Sequence, residues 1–325
     1  MIRASAPGKL MLAGEYVVVE RATPALSIAV DRRVEVDAEA LDGSAGWRIT
    51  SDTLNLRDAT LDKVPVIAEA LARVPGAPRA GRLTVRSQLG AGADKPGLGS
   101  SAALCVASYA AFARLAGLNG LPDLAPLIAA HRASQGGRGS GFDVASCLHG
   151  GLIVFMPVPD RPDDPPRVER IPWPKGLHAA VFKTRKGAST VHMLARMASW
   201  RDEDPETLDA CLDPLAIETE ELVSAFRVGD VDRLLTACAQ VQEELGVLDR
   251  LGEVGILPSG VLQLHGVIED AGCVGRTSGA GGGDCVWALS DDPRALERAA
   301  VGAKELGFER LELQLAGPGL RVDEV

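Results

Sequence analysis

The chain has 325 residues, 46% of them hydrophobic but only 4% aromatic, and its formal net charge is −10. This length suggests about two domains, and the apolar content is ample for a core built mainly from Ala, Val and Leu. The acidic balance argues against nucleic acid as a partner and means that an anionic substrate would need a local basic pocket, and without an uninterrupted run of about 18 apolar residues no membrane span is predicted.

The N-terminal part of the chain is predicted to be an antiparallel sheet that leads into a helix. Strands are predicted at residues 6–19, 25–36 and 83–87, a helix at 61–74, and irregular structure at 37–60. Strand-forming residues in these segments support the assignment. Lys9 follows Pro-Gly in the first strand, where it fits an ordinary surface lysine or a cation that points into a cleft.

A glycine- and serine-rich turn over residues 96–101 comes directly before the apolar run 102–118. That run is apolar almost all round and predicts a buried helix, for which Ser100 or Ser101 is a natural N-cap. A helix start offers unpaired N–H groups and a positive dipole end, and glycines let backbone approach a ligand closely. The pattern fits a phosphate cradle as well as a plain tight turn, and it differs from the common P-loop.

A second glycine-rich segment, residues 135–141, follows a predicted helix at 121–134 and precedes Asp143. One interpretation makes Asp143 a helix N-cap, which is a common role for aspartate. The other makes it a carboxylate placed at a phosphate-transfer centre. A strand is predicted next, at 151–156.

A proline-rich loop or domain junction at residues 157–174 leads into the second half of the chain. A basic cluster follows, which fits a solvated turn: Lys183, Arg185 and Lys186. Ser189 and Thr190 begin an apolar stretch that fits a second anion-binding helix start.

The rest of the chain is predicted to be mainly helical. Strands are predicted at 178–183, 286–289 and 309–315, helical structure at 205–250, and helices at 261–271 and 294–307. Residues 279–283 contain four glycines in five, which favours unusual backbone geometry or close approach to a ligand.

The six cysteines are scattered, form no C-x-x-C pair and lie mostly in apolar surroundings, which favours buried free thiols in a reducing cytosol. The five histidines show no metal-ligand spacing. The first residues show no apolar region typical of a secretory signal. We therefore expect a cytoplasmic protein, and the sequence is compatible with a monomer or a homodimer.

Three motifs stand in order along the chain: the first motif at residues 7–16, the second motif at 97–102 and the third motif at 278–284. In order and spacing they resemble the GHMP kinase family, named for its galactokinase, homoserine, mevalonate and phosphomevalonate kinase members. The resemblance covers about residues 4–289.

The resemblance implies an α+β protein with ATP bound between two domains. The N-terminal, ATP-binding domain is expected at residues 1–174 with a ribosomal protein S5 domain 2-like fold. The C-terminal domain is expected at 175–325 with a ferredoxin-like fold.

Within the family, the resemblance is closest to the phosphomevalonate kinases. Tyr16 stands where mevalonate kinases usually have His, and Val144 stands where they usually have Asn. The segments 184–190 and 283–285 also resemble the phosphomevalonate kinase pattern. Mevalonate kinases have a magnesium-binding Glu eleven residues before the catalytic Asp, and here that position is Arg132.

The resemblance also implies which residues form the site. Lys9 and Asp143 are the expected catalytic residues, facing the transferred phosphoryl group. The expected nucleotide-binding residues are Gly97, Leu98, Gly99, Ser100, Ser101 and Ala102, with the hydroxyls of Ser100 and Ser101 reaching Mg²⁺. The expected substrate-binding residues are Glu15, Tyr16, Arg138, Ser140, Gly141, Lys186, Ser189, Thr190, Ser278, Gly279, Ala280, Gly281, Gly282 and Asp284.

The implied activity is ATP- and Mg²⁺-dependent phosphorylation of (R)-5-phosphomevalonate to (R)-5-diphosphomevalonate in isoprenoid biosynthesis. Mevalonate kinase is the second hypothesis. The third is a catalytically silent metabolite sensor on the same fold, and the presence of Lys9, Asp143 and all three motifs counts against it. A phosphomonoester loses its second proton at about pH 6 and is already nucleophilic, so Asp143 is expected to orient Lys9 or a metal-bound water rather than act chiefly as a base.

Overall fold

The structure, a computed structural model, describes residues 1–43, 45–90, 96–158, 165–184 and 190–325. Its strands are β1 (Ile2–Ala13), β2 (Ala25–Ala40), β3 (Trp47–Ser51), β4 (Leu56–Thr60), β5 (Gly81–Ser87), β6 (Leu152–Met156), β7 (Arg167–Ile171), β8 (His178–Lys183), β9 (Val274–Ser278), β10 (Cys285–Ser290), β11 (Glu309–Arg310) and β12 (Arg321–Glu324). Its α-helices are α1 (Val17–Glu20), α2 (Pro65–Ala72), α3 (Ser100–Leu115), α4 (Leu124–Ser134), α5 (Phe142–His149), α6 (Thr190–Glu203), α7 (Pro205–Val228), α8 (Val231–Gly252), α9 (Ser259–Asp270) and α10 (Pro293–Glu305).

Among the described residues, an eight-stranded sheet has the order β12-β1-β2-β5-β3-β4, and β6 and β7 continue from β2. Neighbouring strands are antiparallel except β3 and β5. Strand β2 is long enough to pair with β6 near its start and with β5 near its end. The register of β1 on β2 shifts between Pro7 and Lys9, because proline cannot donate to the ladder.

Helix α3 packs across β1 and β2 at the centre of the main core. Every residue from Ala102 to Ala113 is buried, which confirms the prediction of a buried helix. Its N-cap is Gly99 in the left-handed conformation, so the prediction that Ser100 or Ser101 caps the helix is wrong. Glycine adopts this conformation without steric cost, and both serines therefore lie inside the first helical turn.

Within the described part of the chain, a second sheet has four strands in the order β11-β8-β10-β9. Successive side chains of a strand point to opposite faces, so β8 and β10 divide their residues between two cores. Phe182 and Val286 face α9 and α10 in a smaller core, whereas Val181 and Trp287 belong to the main core. Helix α8 contacts β9 and α7 contacts β1 and β2, so this helix pair lies against strands of both sheets.

Some elements differ from the sequence-based predictions. Residues 17–20, predicted as strand, form α1, because the chain turns at Tyr16 with a φ of 63°. Residues 37–60, predicted as irregular, contain β3 and β4. The strand predicted at 309–315 forms only at Glu309–Arg310, and β12, which was not predicted, pairs with β1. Short strands of this kind depend on a partner strand, which local composition does not reveal.

All six cysteines are buried and free, as predicted. Burial raises the pKa of the Cys105, Cys238 and Cys285 thiols to about 12, so these thiols stay protonated at neutral pH. Across the described ranges, no helix combines the length and the apolar character needed to cross a membrane.

Candidate active site

Lys9 lies where β1 meets the turn before α3. Its backbone N–H donates to the carbonyl oxygen of Leu98 at 2.9 Å. Its side-chain stem packs against Gly99, where a Cβ would lie 2.9 Å from Lys9 Cε and Cγ. Lys9 Nζ lies 5.3 Å from the ring centre of Phe142, within cation–π range. Lys9 is 9% exposed, so it is a largely buried cation rather than an ordinary surface lysine.

The third motif supports the turn before α3 from another side. Gly97 packs so closely on Asp284 that a Cβ at residue 97 would lie 2.5 Å from Asp284 Oδ2. The Cys285 thiol donates to the carbonyl oxygen of Pro96 at 2.9 Å. The second and third motifs, nearly 200 residues apart along the chain, therefore form one structural unit.

Strand β1 is also bonded to β9 and β10, the strands that flank the third motif. The Ser278 hydroxyl donates to the carbonyl oxygen of Met11 and accepts from the N–H of Met11, both at 3.1 Å. The indole N–H of Trp287 donates to the same carbonyl oxygen at 2.9 Å. These bonds hold the strand that carries Lys9 against the third motif.

A buried ion pair lies next to this joint. Arg276 Nη2 donates to Glu15 Oε2 at 2.9 Å and to the carbonyl oxygen of Leu12 at 3.1 Å. Glu15 Oε1 and the other two guanidinium nitrogens are buried without a hydrogen-bond partner among the described residues. Burial raises the pKa of the Glu15 carboxyl, and the Arg276 cation opposes that effect. The pair ties the first motif to β9.

The third motif is anchored by two further sets of bonds. The Tyr16 hydroxyl donates to the carbonyl oxygen of Ala280 at 2.6 Å, and burial raises the pKa of this hydroxyl, which keeps it a donor. The N–H of Gly282 donates to the carbonyl oxygen of Ile256 at 2.7 Å. The Asp249 carboxylate accepts from the N–H groups of residues 255–257, which fixes the loop that Gly282 contacts.

These contacts show where the sequence-predicted substrate residues lie. The side chains of Glu15, Tyr16 and Ser278 are buried, and each is bonded to a residue that is distant along the chain, so they hold the first and third motifs and β9 together. Their contact with substrate stays a prediction. Arg138 is exposed on the segment before α5. Lys186 and Ser189 lie outside the described residues, as does the side chain of Thr190.

Asp143 lies in the first turn of α5, whose N-cap is Gly141, so the N-cap interpretation of Asp143 is wrong. Asp143 Oδ1 accepts from the N–H of Val144 at 2.9 Å. The side chain is 23% exposed, and the adjacent Phe142 is the ring that faces Lys9 Nζ. Strand β1 and helix α5 therefore bring a cation and a partly exposed carboxylate into one region.

Arg132 fixes the backbone of residues 135–141. Its Nε donates to the carbonyl oxygen of Gly139 at 2.7 Å, and an Nη donates to that of Ser140 at 3.1 Å. Arg132 thus holds the segment that leads into α5. Helix α5 begins directly after this segment and carries Asp143 in its first turn.

The structure adds His131, which sequence reasoning missed, between Ser101 and Asp143. His131 Nε2 lies 3.3 Å from Ser101 Oγ and 3.1 Å from Gln135 Nε2, and its Nδ1 lies 3.7 Å from Asp143 Oδ2. His131 lies in the last turn of α4, and Gln135, four residues later, is the residue that ends this helix. Only the packing of α4 against α3 and α5 places His131 beside Ser101.

Within the described ranges, no group of three or more His, Cys, Asp and Glu side chains could hold a metal ion. Oxygen donors are offered by the hydroxyls of Ser100 and Ser101 at the start of α3 and by the Asp143 carboxylate.

Two family models match the chain. The model of the GHMP kinases N terminal domain matches residues 64–151, and the GHMP kinases C terminal model matches residues 222–307. The first matched range includes the second motif and Asp143, and the second includes the third motif.

Some relatives that match most of the chain are named phosphomevalonate kinase, and others are named mevalonate kinase. It is 33% identical to the phosphomevalonate kinase of Streptomyces sp. (strain CL190), over 88% of this chain and 89% of that protein. It is 27% identical to the mevalonate kinase of Pyrococcus abyssi, over 100% of this chain and 98% of that protein.

The fold is similar to that of a phosphomevalonate kinase from Streptococcus pneumoniae, solved in complex with phosphomevalonate and AMPPNP. The TM-score is 0.81 at 23% identity, and the match covers 97% of this chain and 100% of that one. At this identity, the likeness concerns the fold.

Proposed function

The chain belongs to the GHMP kinase family, and from this premise we propose that it transfers the γ-phosphoryl group of ATP to (R)-5-phosphomevalonate, releasing ADP and (R)-5-diphosphomevalonate in the mevalonate pathway. The two-domain α+β fold predicted for the family is confirmed. The observation that carries the proposal is the packing of Lys9 against the second motif, which the third motif supports from another side. This arrangement puts a buried cation beside a helix start.

The second motif is proposed to hold the triphosphate. The first N–H groups of α3 have no partner within the helix, and together with the helix dipole they favour an anion. Close contacts of Gly97 and Gly99 with Asp284 and Lys9 bring backbone, cation and helix start together. Residues 97–102 therefore suit the phosphates of a nucleotide.

The chemistry of the proposed acceptor explains why charge compensation dominates. A phosphomonoester with a second pKa near 6 is a dianion at neutral pH, and its oxygen attacks the γ-phosphorus while the bond to the ADP oxygen breaks. Two anions must meet, so the site must lower their repulsion. Lys9 and the α3 N-terminus supply positive charge there, and Asp143 orients Lys9 rather than removing a proton from the acceptor.

Magnesium fits the donors that this site offers. The Ser100 and Ser101 hydroxyls lie in the first turn of α3 without capping it, and the Asp143 carboxylate is partly exposed. Mg²⁺ prefers oxygen ligands and is usually held through few protein groups, water and substrate phosphates. We propose Ser100 and Ser101 as its protein ligands, and the bound ion would neutralise phosphate charge.

Mevalonate is the second candidate acceptor, favoured by the mevalonate kinase relative that aligns over the whole chain. Arg132 supports the first candidate instead. Its guanidinium is bonded to the carbonyl oxygens of Gly139 and Ser140, so it offers no carboxylate for a metal where mevalonate kinases have one.

The acceptor is tested by a coupled assay of ADP release with mevalonate, phosphomevalonate, homoserine and galactose. We expect kcat/KM for phosphomevalonate to exceed that for mevalonate by about 10²-fold or more, since a site that binds a second phosphate is left with unpaired groups when the phosphate is missing. Equal or greater turnover of mevalonate would overturn the proposed acceptor. ATP binding without turnover of any acceptor would favour the sensor hypothesis.

A methyl group at Gly99 should disturb the second motif. Gly99→Ala is expected to lower kcat/KM by about tenfold to 10²-fold, because the new Cβ would displace the Lys9 stem. Gly117→Ala is the matched control, since Gly117 also has a positive φ, of 80°, but has nothing within 4 Å of a Cβ. Steady-state kinetics and thermal melting of both variants separate the effects. Equal loss of activity in both variants would contradict the role of Lys9 packing.

A further inference from the structure

The buried imidazole of His131 contacts both a proposed nucleotide-site residue, Ser101, and a proposed catalytic residue, Asp143. His131 comes from α4, Ser101 from the start of α3 and Asp143 from the start of α5. Ser101 Oγ lies 3.3 Å from His131 Nε2, and Asp143 Oδ2 lies 3.7 Å from His131 Nδ1. The His131 side chain is only 4% exposed, so its neighbours rather than solvent fix its orientation.

The side-chain amide of Gln135 indicates which nitrogen of the His131 imidazole carries the proton. The side-chain nitrogen of Gln135 lies 3.1 Å from His131 Nε2, and because an amide nitrogen only donates, this arrangement fits the tautomer in which Nε2 accepts. A neutral imidazole then carries its proton on Nδ1, which faces Asp143. The Ser101 hydroxyl lies 3.3 Å from the same nitrogen and shares its single lone pair with the Gln135 amide. When the hydroxyl donates there, its lone pairs stay available to a ligand.

We propose, on the basis of the proposed kinase function, that His131 is a positioning residue that holds Ser101 through its accepting Nε2 and Asp143 through its Nδ1–H. The Ser101 contact supports nucleotide binding, and the Asp143 contact supports phosphoryl transfer. His131 thereby couples nucleotide binding to phosphoryl transfer. At 3.7 Å, His131 Nδ1 and Asp143 Oδ2 are in contact but beyond hydrogen-bond distance, and we propose that they close to a hydrogen bond when substrate binds, as catalytic contacts often do.

Two amide replacements separate the contacts of His131. The amide nitrogen of asparagine can take the place of Nδ1, and the amide oxygen of glutamine can take the place of Nε2. His131→Asn is therefore expected to raise KM for ATP and the Kd for AMPPNP by about tenfold, with kcat within about threefold of wild type. His131→Gln is expected to lower kcat by about tenfold while the Kd for AMPPNP stays near wild type.

A variant that lacks both contacts completes the test. His131→Leu is expected to show both defects, and His178→Gln, at an exposed histidine in β8, is the control that should show neither. Steady-state kinetics, calorimetry with AMPPNP and thermal melting are measured for every variant. If His131→Leu does not fold, the two amide variants carry the test, since each retains one polar contact.

The expected split between KM and kcat supports the proposal, because a merely structural role would lower activity in all variants in proportion to their melting temperatures. The same pattern in His131→Asn and His131→Gln, or wild-type kinetics in His131→Leu, would overturn it. If the wild-type protein binds AMPPNP but phosphorylates no acceptor, the proposed function fails and the Asp143 contact loses its role. The affinities of the two amide variants for AMPPNP would then still decide the Ser101 contact.

Discussion

Replacing Lys9 with methionine is expected to lower kcat by about 10²-fold or more, the effect of removing one preorganised charge stabiliser. Methionine keeps most of the stem that packs against Gly99 and removes only the ammonium group. Because Lys9 is largely buried, its charge acts where water screens it weakly. Steady-state kinetics at saturating ATP and acceptor measures the loss.

The control for this variant is Lys63→Met, since the Lys63 side chain is 64% exposed and pairs with Asp62 on the surface. We expect its kcat to match wild type. Unchanged kcat in Lys9→Met would remove Lys9 from the site. A fall in melting temperature in Lys9→Met alone would show that lost folding contributes to its defect.

A double-mutant cycle with Asp143→Asn tests what the carboxylate does. If Asp143 mainly orients Lys9, the double variant should be little worse than the worse single variant, as expected for groups that act as a unit. If Asp143 is a general base, its loss alone should lower kcat by about 10²–10⁴-fold. Fully multiplicative losses would contradict the coupling.

Replacing Arg276 with methionine is expected to lower the free energy of unfolding by about 3–5 kcal/mol, because it leaves the buried Glu15 carboxylate without its cation. Equilibrium denaturation measures this loss. Arg310→Met is the control, since Arg310 pairs with Glu297, whose side chain is 71% exposed, and such surface pairs contribute about 1 kcal/mol or less. A loss in Arg276→Met no larger than in the control would contradict the importance of the buried pair.

The pH dependence of Arg276→Met gives an independent check. Burial already raises the pKa of Glu15, and loss of Arg276 removes the stronger of the two cations, Arg276 and Lys9, that oppose this effect. The folded variant then holds a proton that the unfolded chain has released, so its stability should fall as pH rises above the ordinary pKa of glutamate. The double variant Glu15→Gln, Arg276→Met should lose this pH dependence.

The sequence was sufficient to predict elements with strong local signals. Helix α3 is apolar on all sides, and β2 and β5 have strand composition, so their periodicity and burial agree with the structure. The turn at Tyr16 and the pairing of β12 with β1 depend on contacts between distant segments. Such contacts have no local signature, and composition alone did not predict them.

The same distinction applies to the site. The motifs singled out Lys9 and the turn before α3, and the structure brings them together. His131 lies in an ordinary-looking helix, and only tertiary packing places it beside Ser101. The ion pair of Arg276 and Glu15 likewise joins residues whose partnership is invisible until β9 lies next to β1.

The pairing of β12 with β1 bears on the order of folding. Ile2 pairs with Glu324, so almost the entire polypeptide between them intervenes before this edge of the sheet closes. Pairing over such a separation carries a large loop-closure entropy and is slow, whereas β1 and β2 are neighbours along the chain. The β1–β2 hairpin with α3 is thus suited to be an early folding nucleus, and the strand that carries Lys9 gains its second neighbour late.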